Sequence, residues 1–481
     1  MLYSQARLGR VVVMLAFVLT GALGRASSSG PNPVAIVGGT LVDVSNYGRS
    51  NNDIPDSVIV IENGKITAAG PASLVKIPAD ATRINARGKF LIPGLIDGFG
   101  ALRNQAFANA YLYDGVTTVY VGNILPNGGG DGEVKVLRDA SPGPRLFLGA
   151  PMTGYSEDGA DPSDKPMTEH RLHDRRLSNE QLIARIDRLA DQGFRGVTIS
   201  YDVWPDQVDV IVAEARRRGM ATIGELGFTT YPYAIRAGID ALLRNDIYQM
   251  ALAPAVAQLE WDDSQAAGRD AFRAVCALDV NTPEVTSFGE QLAKSRTALM
   301  PTLALEATAD SLDIPNPWSA PSAKIIQARD LDTPVDEATG QSGYLAKLPA
   351  DRREIVRKCA WHKEALDGQL YKLGAKFLAA TIEPSYGIMP GSGLHLEIAL
   401  LHRIGLSPRE AIAAATSNYA DIYGWGDVGR IEPGRVADLL ILDADPRVDV
   451  SAIEHINTIV FGGATVDRTR LLAQPSRQAG G

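Results

Sequence analysis

Eight short runs of apolar and β-branched residues recur between Leu91 and Thr381, most of them separated by helix-like stretches. The runs are Leu91–Phe99, Thr117–Val121, Arg145–Leu148, Gly196–Ser200, Ala221–Glu225, Ala241–Arg244, Ala298–Leu303 and Lys376–Thr381. Strands that alternate with crossover helices pair in parallel, with the helices covering the sheet. Eight such units is the number that closes a (β/α)8 barrel. Amphipathic helices are predicted over Glu180–Gln192 and over Asp206–Arg218, the latter ended by Gly219. Residues 307–350 are rich in Pro, Asp and Ser and read as a long excursion after the seventh strand.

The two ends follow a different pattern. Short strands are predicted from Val34 and from Ser57, with Asn63-Gly64 as a hairpin turn signal before Ile66. Near the other end, Ala437–Asp443 and Thr458–Val466 read as strands around a Pro-containing turn. The expected fold class is therefore α/β: a TIM-like barrel over residues 93–426 with a small composite β-sandwich domain built from both termini. That domain takes residues 32–92 and 427–470.

Residues 1–26 read as a signal peptide. Arg7 and Arg10 precede the apolar run Val11–Leu23, which is short for a membrane span, and small residues follow it. The expected mature chain begins near Arg25 or Ser27, is periplasmic or secreted, and has no membrane span after cleavage. The net charge is −9 with both signs mixed and no basic block, which argues against a nucleic-acid partner. Cys276 and Cys359 are the only cysteines and stand far apart, so two isolated buried thiols are expected.

Several ordered motifs carry a family likeness. Lys89–Asp97 (KFLIPGLID) resembles the entry into the first barrel strand of amidohydrolases, and Gly115–Val119 (GVTTV) their second strand. Thr416–Asn418 followed by Gly429–Asp438 (GRIEPGRVAD) is similar to their return into the sheet domain. The likeness spans nearly all of residues 34–467 and is nearest the imidazolonepropionase-like and prolidase-like branch. It implies hydrolysis of C–N bonds by one or two divalent metals held at the C-terminal mouth of the barrel.

The ligands that this resemblance requires are missing. A His-x-His pair should follow Asp97, because residues i and i+2 on a strand face the same way and can share one ion. Phe99 and Ala101 stand there instead. Thr198 occupies the place of a carboxylated Lys on strand four, Glu225 and Arg244 the places of His on strands five and six, and Ile382 that of the Asp on strand eight. No slip of alignment restores most of them: no His precedes His170 or lies between His173 and His362, and no Lys lies between Lys165 and Lys294. His170 and His173 fall in a polar loop, and His395 reads as a helix-start residue bonded to a nearby loop.

The expected site is thus the pocket of former ligand positions, with no metal or other cofactor. Glu225 and Arg244, on adjacent strands, should form a salt bridge in the space of the ion, either to steady the barrel or to receive a small anionic ligand. Ser200, Tyr201, Asp202, Thr302, Thr381 and Glu383 are further polar groups near strand ends, and none forms a recognisable triad with a His. Two functions follow. One is a degenerate homologue, a pseudoenzyme kept as a binding or partner subunit in a homo- or hetero-oligomer with an active amidohydrolase. The other is a hydrolase of C–N bonds in a small molecule or dipeptide.

Overall fold

The computed structural model describes residues 32–123, 141–155, 176–252, 275–310, 312–333 and 335–473. The expected signal segment and the His170–His173 loop lie outside these residues.

Eight parallel strands pair in chain order: Leu95–Asp97, Val116–Val121, Arg145–Met152, Gly196–Ile199, Ala221–Gly224, Ala241–Leu243, Ala298–Met300 and Lys376–Phe377. The last and first strands meet through backbone hydrogen bonds. Gly98 N–H donates to the Ala379 carbonyl (3.2 Å), and Ile382 N–H to the Phe99 carbonyl (2.7 Å). Each expected run contains a barrel strand, with two corrections: Leu91–Phe99 splits into Phe90–Pro93, which joins the second sheet, and the barrel strand Leu95–Asp97, and the eighth strand stops at Phe377. The crossover helices lie where their apolar periodicity put them, over Asn179–Asp191 and Pro205–Arg217. Ser178 and Gln181 form a capping box that fixes the start of the first.

Side chains fill the barrel. Ile96, Tyr120, Ile223, Leu243, Met300 and Ala380 form one buried cluster, completed by Tyr419, Tyr423 and Trp425 from beyond the eighth strand. The Trp425 ring stacks on Tyr419 (5.5 Å) and meets Phe147 edge-on (4.7 Å). Tyr120 needs room that only glycine leaves: a Cβ on Gly149 would lie 1.9 Å from its hydroxyl. The barrel is thus a packed core, and its chemistry is confined to the strand ends.

Strands from both termini share the second sheet. Leu439–Leu442 pairs antiparallel with Phe90–Pro93 on one side and with Ile456–Phe461 on the other. Val34–Leu41 pairs with Ile54–Glu62, which turns through Asn63 and Gly64, both at positive φ, into Lys65–Pro71. That turn is the predicted hairpin, since a right-twisted pair favours positive φ at both central residues.

After the seventh strand come the helix Leu303–Ala309 and a run of short turns. The helix Ala350–Lys372 then leads to the eighth strand. This helix packs on Pro283–Lys294 and corrects one expectation. Cys359 on it is disulfide-bonded to Cys276, with Cα atoms 4.8 Å apart, although 83 residues separate them. Two isolated thiols were expected because sequence distance hides the helix packing that joins their segments. Among the described residues no helix is long and apolar enough to cross a membrane.

Candidate functional site

The C-terminal strand ends keep an unusual backbone. Arg244, Thr302 and Ile382 follow strands six, seven and eight, and all three lie in the left-handed region, at φ 64°, 56° and 57°. For branched Thr and Ile this conformation is strained, and such strain persists only where the surroundings impose it. Two of the three, Arg244 and Ile382, are at slots where the resemblance calls for a metal ligand.

Asp97 acts as a staple across the barrel seam. Its carboxylate accepts from Thr381 Oγ1 (2.7 Å), Thr381 N–H (3.2 Å) and Phe99 N–H (3.3 Å). Glu383, also buried, accepts from Ala101 N–H at 3.0 Å through Oε1, while its Oε2 has no hydrogen-bond partner among the described residues. Burial, and then the neighbouring Asp97, push the Glu383 carboxyl well above the usual range. Burial raises Asp97 as well, against the hydrogen bonds it receives. Sequence reading had placed Glu383 only among polar strand-end groups. Its closeness to Asp97 arises only where the first and eighth strands meet, and no local pattern signals it.

The six expected site residues fall as follows. Phe99 is buried, with its ring lying where a Cβ on Gly122 would come within 2.2 Å. Ala101 offers only backbone, its carbonyl accepting from Tyr111 Oη (3.0 Å). Thr198 is buried and donates its hydroxyl to the Gly122 carbonyl (2.9 Å). Ile382 is partly buried against the barrel core.

Glu225 and Arg244 do converge from adjacent strands, but at 3.8 Å, beyond hydrogen-bond reach. The guanidinium forks instead onto Asp246, with Nε–Oδ1 at 3.2 Å and Nη2–Oδ2 at 2.9 Å. The expected Glu225–Arg244 salt bridge is thus present as a long ion pair without a hydrogen bond, and Asp246 is a closer partner that sequence reading missed. The left-handed turn at Arg244 starts the short helix Asn245–Tyr248 and sets Asp246 two residues away, where pairing orders little extra chain. Burial raises the Glu225 carboxyl, and the Arg244 charge offsets it only in part.

A polar network that sequence reading missed lies behind strands six and seven. Asp367 accepts from Asn245 Nδ2 (3.0 Å) and Tyr248 Oη (2.7 Å), and burial lifts its pKa to about 6. Lys363, one turn earlier, is paired with Glu306, and burial lowers its pKa to about 8. Burial, then the Asp246 charge, raise Asp310 to about 7. His395 donates through Nε2 to the Asp114 carbonyl (2.7 Å) near the start of its helix, and burial lowers its pKa to about 4. It bonds the nearby loop, as its sequence context suggested.

Comparisons with known proteins bear on this geometry. A profile of the amidohydrolase family matches residues 370–468. An imidazolonepropionase of Symbiobacterium thermophilum is 25% identical over 81% of this chain and 84% of its own. The chain belongs to the amidohydrolase superfamily. Shorter matches, to an adenine deaminase of Paracoccus denitrificans and two other imidazolonepropionases, span only 25%, 22% and 10% of those proteins. In fold, the chain is similar to a bottromycin amidohydrolase, with a TM-score of 0.63 at 18% identity, covering 92% of this chain and 88% of that one. It is also similar to a Xaa-Pro dipeptidase, with a TM-score of 0.59 at 16% identity, covering 91% and 100%.

The donor set does not fit the divalent metal that the superfamily implies. Phe99, Ala101 and Ile382 carry no side-chain donor. Thr198 spends its hydroxyl on a carbonyl, and Arg244 brings a positive charge. A cation needs several N or O donors to replace its hydration, and of the six slots only Glu225 offers a carboxylate. Among the described residues, no three His, Cys, Asp or Glu side chains are grouped to hold an ion.

Proposed function

We propose that this amidohydrolase homologue is an exported, metal-free pseudoenzyme that works as a binding or partner subunit. One observation carries the reading. The ends of strands six to eight hold a strained backbone, while Phe99 fills the first ligand slot and Ile382 the last. A hydrophobic ring seated over Gly122 removes both the ligand and the space it would need. A homo- or hetero-oligomer, with an active amidohydrolase as the partner, gives such a barrel a use without catalysis. The test is turnover of Xaa-Pro dipeptides and other small amides by purified protein, with zinc or manganese added and without. The proposal expects no turnover in either case, and capture of an active relative when the tagged chain is purified from its native host. Metal-dependent turnover would overturn it.

A second reading, a hydrolase of C–N bonds in a small molecule or dipeptide, has one observation in its favour. Asp97 and Glu383 place two buried carboxyl groups at the mouth, and Glu383 is pushed toward its protonated form, the state of a general acid. This reading requires metal-independent turnover that is lost in Glu383→Gln.

A further inference from the structure

One sizeable cavity lies away from the barrel slots. It lies between the excursion after strand seven and the first turns of the helix Ala350–Lys372, and its volume is about 560 Å³. That size lies within the range of small-molecule sites. Leu312 and Leu345, both buried, supply an apolar floor, and Asn316 and Gln341 lie on its wall. Arg353 and Arg357 line the same cavity, four residues apart and so on one face of their helix.

These two arginines differ from others in the chain. Arg103 forks onto Asp332, Arg244 onto Asp246 and Arg403 onto Glu364. The Arg353 and Arg357 guanidinium groups have no hydrogen-bond or ion-pair partner among the described residues. Among the described residues, the one acid lining the cavity with them, Glu354, has its charge offset by Lys358 (3.5 Å). In a chain with a net charge of −9, two unpaired guanidiniums on one cavity make a local site for an anion.

The facing wall is built in advance. Val335 and Ser342 bridge antiparallel, and Trp318 Nε1 donates to the Val335 carbonyl (2.9 Å). Asp336 closes the turn by accepting from Thr339 N–H (2.8 Å) and Thr339 Oγ1 (2.7 Å). Gly340 sits at φ 70°, and a Cβ there would press on the Asn316 side chain at 3.0 Å. Any larger residue at 340 would be strained and would crowd the wall. A wall held this way loses little freedom when a ligand enters.

We infer that this cavity binds a small organic carboxylate with a short apolar body. Guanidinium forks match the two oxygens of a carboxylate, and the leucine floor accepts a hydrocarbon chain that an inorganic anion would not use. The inference does not depend on whether the barrel catalyses a reaction.

Calorimetric titration of the full chain tests it, with N-acetyl-leucine, N-acetyl-leucinamide and inorganic phosphate as probes. Saturable binding of N-acetyl-leucine is expected, with the amide and phosphate each at least about tenfold weaker. Arg353→Gln and Arg357→Gln should each weaken N-acetyl-leucine by about tenfold, and the double variant should abolish binding. Circular dichroism should show all three variants folded, because neither guanidinium has a partner among the described residues. Four results would overturn the inference: no binding of N-acetyl-leucine, unchanged affinity in the double variant, an amide that binds equally well, or phosphate that binds as tightly.

Discussion

Arg244 is held by two carboxylates at different ranges, and a double-mutant cycle can separate them. At 3.8 Å and an effective dielectric constant of about 20, the Glu225 attraction is about 4 kcal/mol before desolvation. The Asp246 contact, two hydrogen bonds at 2.9 and 3.2 Å, is stronger by the same rule. All three side chains are a quarter to a third exposed, so solvent and the cost of burial offset most of this. The expected net couplings are about 2 kcal/mol for Arg244–Asp246 and about 1 kcal/mol or less for Arg244–Glu225. Arg244→Met leaves Glu225 and Asp246 without their cation, with Asp310 already repelled by Asp246. It should cost about 2–3 kcal/mol at pH 7. Glu225 and Asp310 already have raised pKa values, so they take up protons as pH falls and the repulsion is relieved. The cost should therefore shrink at pH 5. Chemical denaturation of the single and double variants at both pH values measures all of this. A Glu225 coupling equal to or larger than that of Asp246 would refute the reasoning, as would an Arg244→Met cost unchanged at pH 5.

Asp310 gives a second pH test: its folded pKa of about 7 lies above the usual 3.8, so its contribution is fully present below about pH 4 and is lost as pH rises to 7. Asp310→Asn should match the parent at pH 4 and be more stable at pH 8 by about 2–4 kcal/mol, and an unchanged pH slope would contradict this. Opening the disulfide that closes an 83-residue separation should cost about 2–4 kcal/mol in denaturation of the Cys276→Ala/Cys359→Ala double variant. Two free thiols titrating in unreduced protein would sink that expectation. Sequencing the protein from its native host should find a start near Arg25 or Ser27, and a retained Met1 would rule out signal cleavage.

Legibility in the sequence followed range. The eight strands and the Asn63-Gly64 hairpin were readable because side-chain period and turn chemistry are local properties. The identity of the residues in the ligand slots was also readable, since it needs only register after Asp97 and counts of His and Lys. What else those residues touch was not. Arg244 was matched with Glu225 because adjacent strands place them side by side, and that ion pair does form, at 3.8 Å. The left-handed turn that hands it to Asp246 has no marker in an Arg-Asn-Asp stretch. Asp97–Thr381 and Cys276–Cys359 join segments 284 and 83 residues apart and exist only once the barrel has closed. Lys363 and Asp367 sit on a helix that reads as polar overall, yet they are buried through ion pairing and hydrogen bonding.

Elemental analysis of protein purified without chelator, after growth with zinc, manganese and iron supplied, tests the central claim most directly. The account predicts no stoichiometric transition metal, because Phe99, Ala101 and Ile382 offer no donor and Arg244 repels a cation. Near-unit metal per chain that survives dialysis against chelator and disappears in Glu225→Ala would contradict it.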